Sequence, residues 1–334
     1  MAKQASWILL LKGRKIAYED GCTLSIQPSF WRHSSLWRHR SLLWRHCWAV
    51  LMAACTQALI FIGGLVTSTG SGLAVPDWPL SYGMLMPPMV GGVFYEHGHR
   101  MVAAFVGLMT LIFAIWTAFT EQSVLIKRLA WFALALVTTQ GILGGLTVLF
   151  LLPTFISVTH ACLAQIFFCT TITLAYLTSI DGRQCEPIAL ARSLRVPAAL
   201  VTAIVFIQLL LGAIMRHLHA GLAIPDFPLF SGRLLPPLHD LKVLIHFTHR
   251  SWALLVLGAV LWLYRKTRQS QDRSFYRTGT TALILTLIQL GLGVVTILSR
   301  RAVLPTTAHV AIGAAILGTT WLVTLRAFRH SRHI

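Results

Sequence analysis

Four histidines and one glutamate carry the chemistry written into this chain. His99 is followed by Arg100, and 150 positions later His249 is followed by Arg250. His160 has its own echo 149 positions on, at His309. Each histidine lies inside a long apolar stretch, where an ionisable or metal-binding side chain is costly and usually functional. A solitary imidazole at that depth serves as readily as a hydrogen-bonded packing residue; two pairs repeated at one offset read as ligands. Zinc and copper sites gather three or four donors at one point, whereas two imidazoles on facing helices suit the axial positions of a heme iron. Arg100 and Arg250 fit heme propionates, because a guanidinium offers forked donors to a carboxylate. The competing reading pairs these arginines with Asp77 and Asp226 of the preceding loops.

The halves differ at one telling position. Glu96 stands three residues before His99, on the same helical face, and its counterpart three before His249 is His246. An intramembrane glutamate beside a heme ligand is a candidate for proton transfer or for stabilising positive charge on a substrate. The alternative is a carboxylate that only orients Arg100 or a histidine. His246, as an extra imidazole, is a possible secondary ligand in competition with His249.

Elements that could hold these residues follow from composition. Of 334 residues, 56% are hydrophobic and only 11% are charged, and the mean hydropathy is +0.70. A water-soluble domain carries roughly 25% charge, so the chain is a polytopic membrane protein. Runs long enough for a bilayer core occur at about 48–68, 93–119, 125–150, 153–179, 197–216, 241–264, 278–299 and 303–326. In lipid a spanning backbone must satisfy itself, and runs this uniformly apolar predict eight helices. The net charge of +18 does not imply nucleic acid, because 21 of the 28 Lys and Arg fall on one side of the spans. By the positive-inside rule both termini are cytoplasmic and the two PDWP/PDFP loops face outward. All four histidines then sit six to eight residues into inward-running helices, roughly 10 Å below the outer surface. No cysteine falls in an outward loop, so no structural disulfide is expected there.

The chain is a duplication. GLAVPDWPL from Gly72 returns as GLAIPDFPL from Gly221, and Gln140, Gly144 and Thr147 return as Gln289, Gly293 and Thr296. Gln208 and Gly212 repeat the Gln-x-x-x-Gly spacing, read here as close helix packing. The expected domains are a basic Trp/Arg-rich extension, 1–47, which is cytoplasmic or interfacial, and a four-helix half, 48–179. A linker, 180–196, a second half, 197–326, and a basic tail, 327–334, complete the chain. An even number of spans per half predicts a pseudo-twofold along the membrane normal. His33, His39 and His46 read as surface residues without a catalytic role.

Taken together, Glu96-x-x-His99-Arg100, His160, His249-Arg250, His309 and Gly70-x-Gly72-Leu73 running into Pro76-Asp77-Trp78-Pro79 resemble the heme A synthase family, over about 48–326. The resemblance implies oxidation of the C8 methyl of heme O to the formyl group of heme A by successive hydroxylations, for cytochrome oxidase assembly. It implies substrate heme between His99 and His160 with Glu96 essential, and a heme b cofactor between His249 and His309. It further implies a bacterial inner (plasma) membrane location with the heme sites toward the outer face. The implied partners are a heme O synthase, cytochrome oxidase assembly factors and an electron acceptor of which a quinone is one candidate; homo-oligomer formation stays open. Many bacterial members carry loop cysteines around the PDWP motif, where this chain has Val75 and Ser81, and Ile224 and Phe230 in the second loop. A disulfide role therefore does not carry over. The rival readings are a bis-His b-type electron carrier, which has no need of Glu96, and a transporter, which would break its helices at mid-membrane.

Overall fold

The computed structural model describes the backbone of residues 10–11, 14–15, 30–184, 187–188, 190–230, 232, 235–270 and 272–331, with side chains from 41 onward except Gln184. The side chains of His33, His39, Cys22, Cys185 and Arg233 lie outside the described residues. The chain divides into two compact units, Met1–Trp44 and Arg45–Ile334. The first holds a two-residue ladder, β1 (Leu10–Leu11) with β2 (Arg14–Lys15), and the start of α1.

Eight helices among the described residues are long and apolar enough to cross a membrane. They are α1 (Phe30–Ser68, crossing from Ser41), α2 (Gly92–Thr120), α3 (Val124–Leu149), α4 (Thr154–Thr178), α6 (Ala191–His217), α7 (Leu241–Arg268), α8 (Arg273–Leu298) and α9 (Val303–Arg329). The short α5 (Ile180–Gln184) interrupts the stretch between α4 and α6. The fifth span begins six residues earlier than its apolar run, with Pro197 in its second turn. Side chains close the amino ends where the chain re-enters helix. Asp240 Oδ1 accepts from Lys242 N at 2.7 Å, and Asp272 Oδ1 from Ser274 N and Phe275 N at 2.8 and 3.0 Å.

Two apolar cores form, one among α1–α4 around Met52, Phe113 and Leu174, the other centred on α6–α9 around Leu194, Leu263 and Phe275. The helices α4, α6 and α9 pack on one another, and Gln57 of α1 donates to the Ala311 carbonyl of α9 at 2.9 Å. Half of the spanning window of α9 is buried against 11% for α8, so α9 is central and α8 faces lipid. Long exposed apolar side chains such as Phe105, Leu254 and Leu287 are what lipid contact requires.

The two loops that carry PDWP and PDFP share several backbone features. Both contain a cis X-Pro bond, Trp78-Pro79 and Phe227-Pro228. Asp77 Oδ2 accepts from Gly83 N and Asp226 Oδ2 from Gly232 N, each at 2.8 Å, and both glycines have φ near +70°. The α3–α4 turn uses Leu151 and Leu152 in the left-handed region, and the α8–α9 turn uses Arg300 and Arg301 there. His46 corrects the expectation of a surface residue: it is half-buried, with Nδ1 3.0 Å from the Ala175 carbonyl. At the same end Glu121 joins α2 to its surroundings, 2.9 Å from Arg45 and 2.7 Å from Arg183.

Candidate functional site: two histidine pairs beneath twin loops

The helices bring the four histidines together as two pairs. His99 of α2 and His160 of α4 lie within electrostatic range of each other, as do His249 of α7 and His309 of α9. Among the described residues no three metal-ligating side chains converge on one point.

Each imidazole lies edge-on against a glycine of a neighbouring helix. A Cβ added at Gly63 would stand 3.1 Å from His99 Cε1, and one at Gly144 3.4 Å from His160 Cε1. In the other half Gly212 and Gly293 would place theirs 3.1 and 3.3 Å from Cε1 of His249 and His309. The glycines thus make room for rings rather than for backbone, a departure from the helix-packing reading of Gly144, Gly212 and Gly293. Gly63 escaped notice in the sequence, although it shares the 149-residue offset with Gly212. The glutamines one turn away steady the same rings' backbone: Gln140 Nε2 donates to the His160 carbonyl at 3.0 Å and Gln208 Nε2 to the His249 carbonyl at 3.1 Å.

Buried Nδ1 atoms of His99, His160 and His309 have no hydrogen-bond partner. Buried polar atoms are nearly always satisfied, and an imidazole left in this way at a bilayer depth is poorly explained by packing alone. Unpartnered ring nitrogens on three of the four histidines, with Gln208 Nε2 3.3 Å from the ring nitrogens of His249 and a glycine beside each ring, fit a bis-imidazole heme site.

Glu96, Arg100 and the first loop form one network. Glu96 is buried; its Oε2 accepts from Val75 N at 2.8 Å and its Oε1 from Arg100 Nη2 at 2.7 Å. The same guanidinium donates to the carbonyls of Asp77 and Leu80 at 2.8 and 2.9 Å and to that of Val75 at 3.3 Å. Arg250 does likewise in the second loop, reaching the Asp226, Pro228 and Leu229 carbonyls and stacking 4.4 Å over Phe230. Both arginines therefore staple the loops through backbone oxygens, a partner that neither sequence reading considered. The Asp77 carboxylate is spoken for by Tyr82 and Gly83, whose amide hydrogen bonds hold it below the usual carboxylate range.

His246 takes the place of Glu96 in the second half. Its Nδ1 accepts from Ile224 N at 3.2 Å, as Glu96 accepts from Val75 N. This contact directs Nδ1 of the ring at the loop. The residues next to these differ more sharply. Ser81 Oγ and His97 Nδ1 are hydrogen-bonded at 2.8 Å in the first half, with Nε2 of His97 buried and unpartnered. At matching positions Phe230 and Phe247 meet edge to face, 4.9 Å between centroids. His97 was not singled out from the sequence; comparing it with Phe247 at the repeat offset is the signal that finds it.

The profile of the cytochrome oxidase assembly protein family matches residues 46–92 and 90–321. The chain belongs to that family. Among similar proteins of this family is the heme A synthase of Symbiobacterium thermophilum, 32% identical over 73% of this chain and 83% of its own length. That of Halalkalibacterium halodurans is 31% identical over 84% of this chain and 95% of its own. The Geobacillus kaustophilus heme A synthase aligns at 28% identity with 88% of this chain and 93% of its own.

Proposed function

We propose that this chain is a heme A synthase, an oxidoreductase of the membrane that converts the C8 methyl of heme O to a formyl group by successive hydroxylations and loss of water. The observation that carries this reading is the set of facing histidine pairs, each ring against a glycine, within a chain of the cytochrome oxidase assembly protein family. His99 and His160 would hold the substrate heme, and His249 and His309 a heme b. When bound, heme b would supply an electron relay.

The protein's own contribution is placement and charge. Glycines at 63, 144, 212 and 293 keep the imidazoles in position, and Gln140 and Gln208 tie their helices to the neighbours. In the first half Glu96 and Arg100 lock the loop over the site and set a carboxyl group three residues from His99. That carboxyl group, present only in this half, suits handling of protons or positive charge at an activated methyl carbon. The arginines hold loop carbonyls, so the reading gives them a roofing role ahead of propionate binding. The buried polar pair Ser81–His97 against the aromatic pair Phe230–Phe247 supports the assignment of chemistry to the N-terminal half.

The two halves fit a pseudo-twofold along the membrane normal: α4 packs on α6 as α9 meets α1, with α4 and α9 together at the centre. Both termini would be cytoplasmic, in a bacterial plasma membrane, with the histidine pairs toward the outer face. Heme O would come from a heme O synthase and electrons would leave to an acceptor such as a quinone. Co-expression with a heme O synthase followed by heme extraction tests the activity. Heme A or a hydroxylated intermediate is expected; abundant heme O alone, with the protein inserted, would refute it. A bis-His electron carrier predicts hemes whose identity never changes.

A further inference from the structure

We propose that Arg216 and His217, carried by the C-terminal half, bind the carboxylates of the porphyrin that the N-terminal half holds between His99 and His160. The inference rests on that site reading and adds a recognition element from the opposite half.

Both residues end α6. Arg216 Nη2 donates to Ser68 Oγ at 3.0 Å and to the Gly64 carbonyl at 3.4 Å, on α1. Gly64 adjoins Gly63, the glycine that His99 lies against. His217 interacts electrostatically with His160. The last turn of α6 thus lies against α1, the helix that carries Gly63, and within electrostatic range of His160.

Among the described residues no acid forms an ion pair with Arg216. The titratable neighbour of Arg216 is Arg301, and those of His217 are Arg216, His219 and His160, with no acid among them. The acids on this side of the membrane are committed elsewhere among the described residues. Asp77 caps Tyr82 and Gly83, Glu96 holds Arg100, Asp226 binds Gly232 and Asp240 caps α7. A partly buried guanidinium beside a second cation is unfavourable unless an anion completes it. Heme presents two carboxylates, and a guanidinium fork matches their geometry.

The duplicated half provides the contrast. Positions matching Arg216, His217, Arg300 and Arg301 are Thr67, Ser68, Leu151 and Leu152, none of them charged. If the halves differed only at Glu96, no reason for this cationic corner would exist. With it, the N-terminal site recognises carboxylates through its neighbour and the C-terminal site does not receive the same help.

The test is a titration of full-length protein, produced without heme, with hemin and with hemin dimethyl ester, read by Soret absorbance. In the variant His249→Ala/His309→Ala, where the N-terminal pair alone remains, hemin should bind about tenfold or more tighter than its ester, as expected for loss of charge-assisted hydrogen bonds. Arg216→Gln should bring the ratio toward one, His217→Gln should reduce it, and Arg216→Lys should retain part of it. In His99→Ala/His160→Ala protein the ratio should not respond to Arg216→Gln. Equal affinity for acid and ester before any change at Arg216, or equal weakening of both by Arg216→Gln, overturns the proposal. A ratio that responds at the C-terminal pair instead also overturns it. Absence of any Soret shift at the N-terminal pair in inserted protein overturns the site reading, and this inference with it.

Discussion

Glu96 and His246 occupy one position in the repeat and hold equivalent loop amides, of Val75 and Ile224, yet only the first is a carboxyl group bonded to an arginine. The shared contact is structural, so the carboxyl group and its arginine are what distinguish the first half. Replacing Glu96 by Ala should leave heme bound, with the Soret band retained, and abolish heme A in extracts; unchanged heme A yield would remove its role. The glycines make a second residue-scale claim. Gly144→Leu should push His160 out of register and cost most of the Soret absorbance of the N-terminal pair. Gly141→Leu, on the same helix with nothing within 4 Å of an added Cβ, should retain it. The histidines stood out in the sequence because a duplication exposes what it keeps, and Glu96 because it exposes what it changes. The glycine contacts did not, since spacing along one helix says nothing of what the next helix brings against it.

At the scale of elements, the loops and helix ends are fastened by a few specific contacts. Trp78 lies against Gly145 of α3, where an added Cβ would stand 2.5 Å from its Cδ2. The second half has Phe227 and Val294 at these positions, a smaller ring with a larger partner. Gly145→Ala should force Trp78 away at an overpacking cost of about 1–3 kcal/mol, measured as a lower thermal midpoint in detergent. Glu121 fastens the end of the bundle opposite these loops. Burial pushes its carboxyl up, but the Arg183 hydrogen bond, the Ser123 amide and Arg45 outweigh this and hold it below the usual carboxylate range. Its stabilising contribution is therefore complete above the unfolded value, about 4.3, and is lost as pH falls through the lower folded value. Glu121→Gln should lower the midpoint at pH 7, and the difference from the unchanged protein should shrink on acidification below pH about 4. A difference that stays constant across that window would mean that the ion pairs contribute nothing. The loop staples escaped the sequence reading because backbone carbonyls leave no trace in residue type.

For the whole molecule, the charge asymmetry makes a directional claim. Leu85→Cys, in the first outward loop, should react with a membrane-impermeant maleimide in intact cells, whereas Gln269→Cys, between α7 and α8, should react only after permeabilisation. The reverse pattern would invert the assigned orientation. The eight spans and the repeated histidines could be read from sequence alone, because lipid imposes apolar runs of a set length and a repeat marks the residues it keeps. What Arg100 and Arg250 grip, which glycine each imidazole lies against, and that the end of α6 reaches the other half were decided only by tertiary packing. The physical reason is that hydrophobic periodicity specifies which residues enter the membrane but is nearly silent on which helices become neighbours. In lipid that choice rests on close contacts of small residues and on a few polar bonds between helices, and these exist only once the bundle has formed.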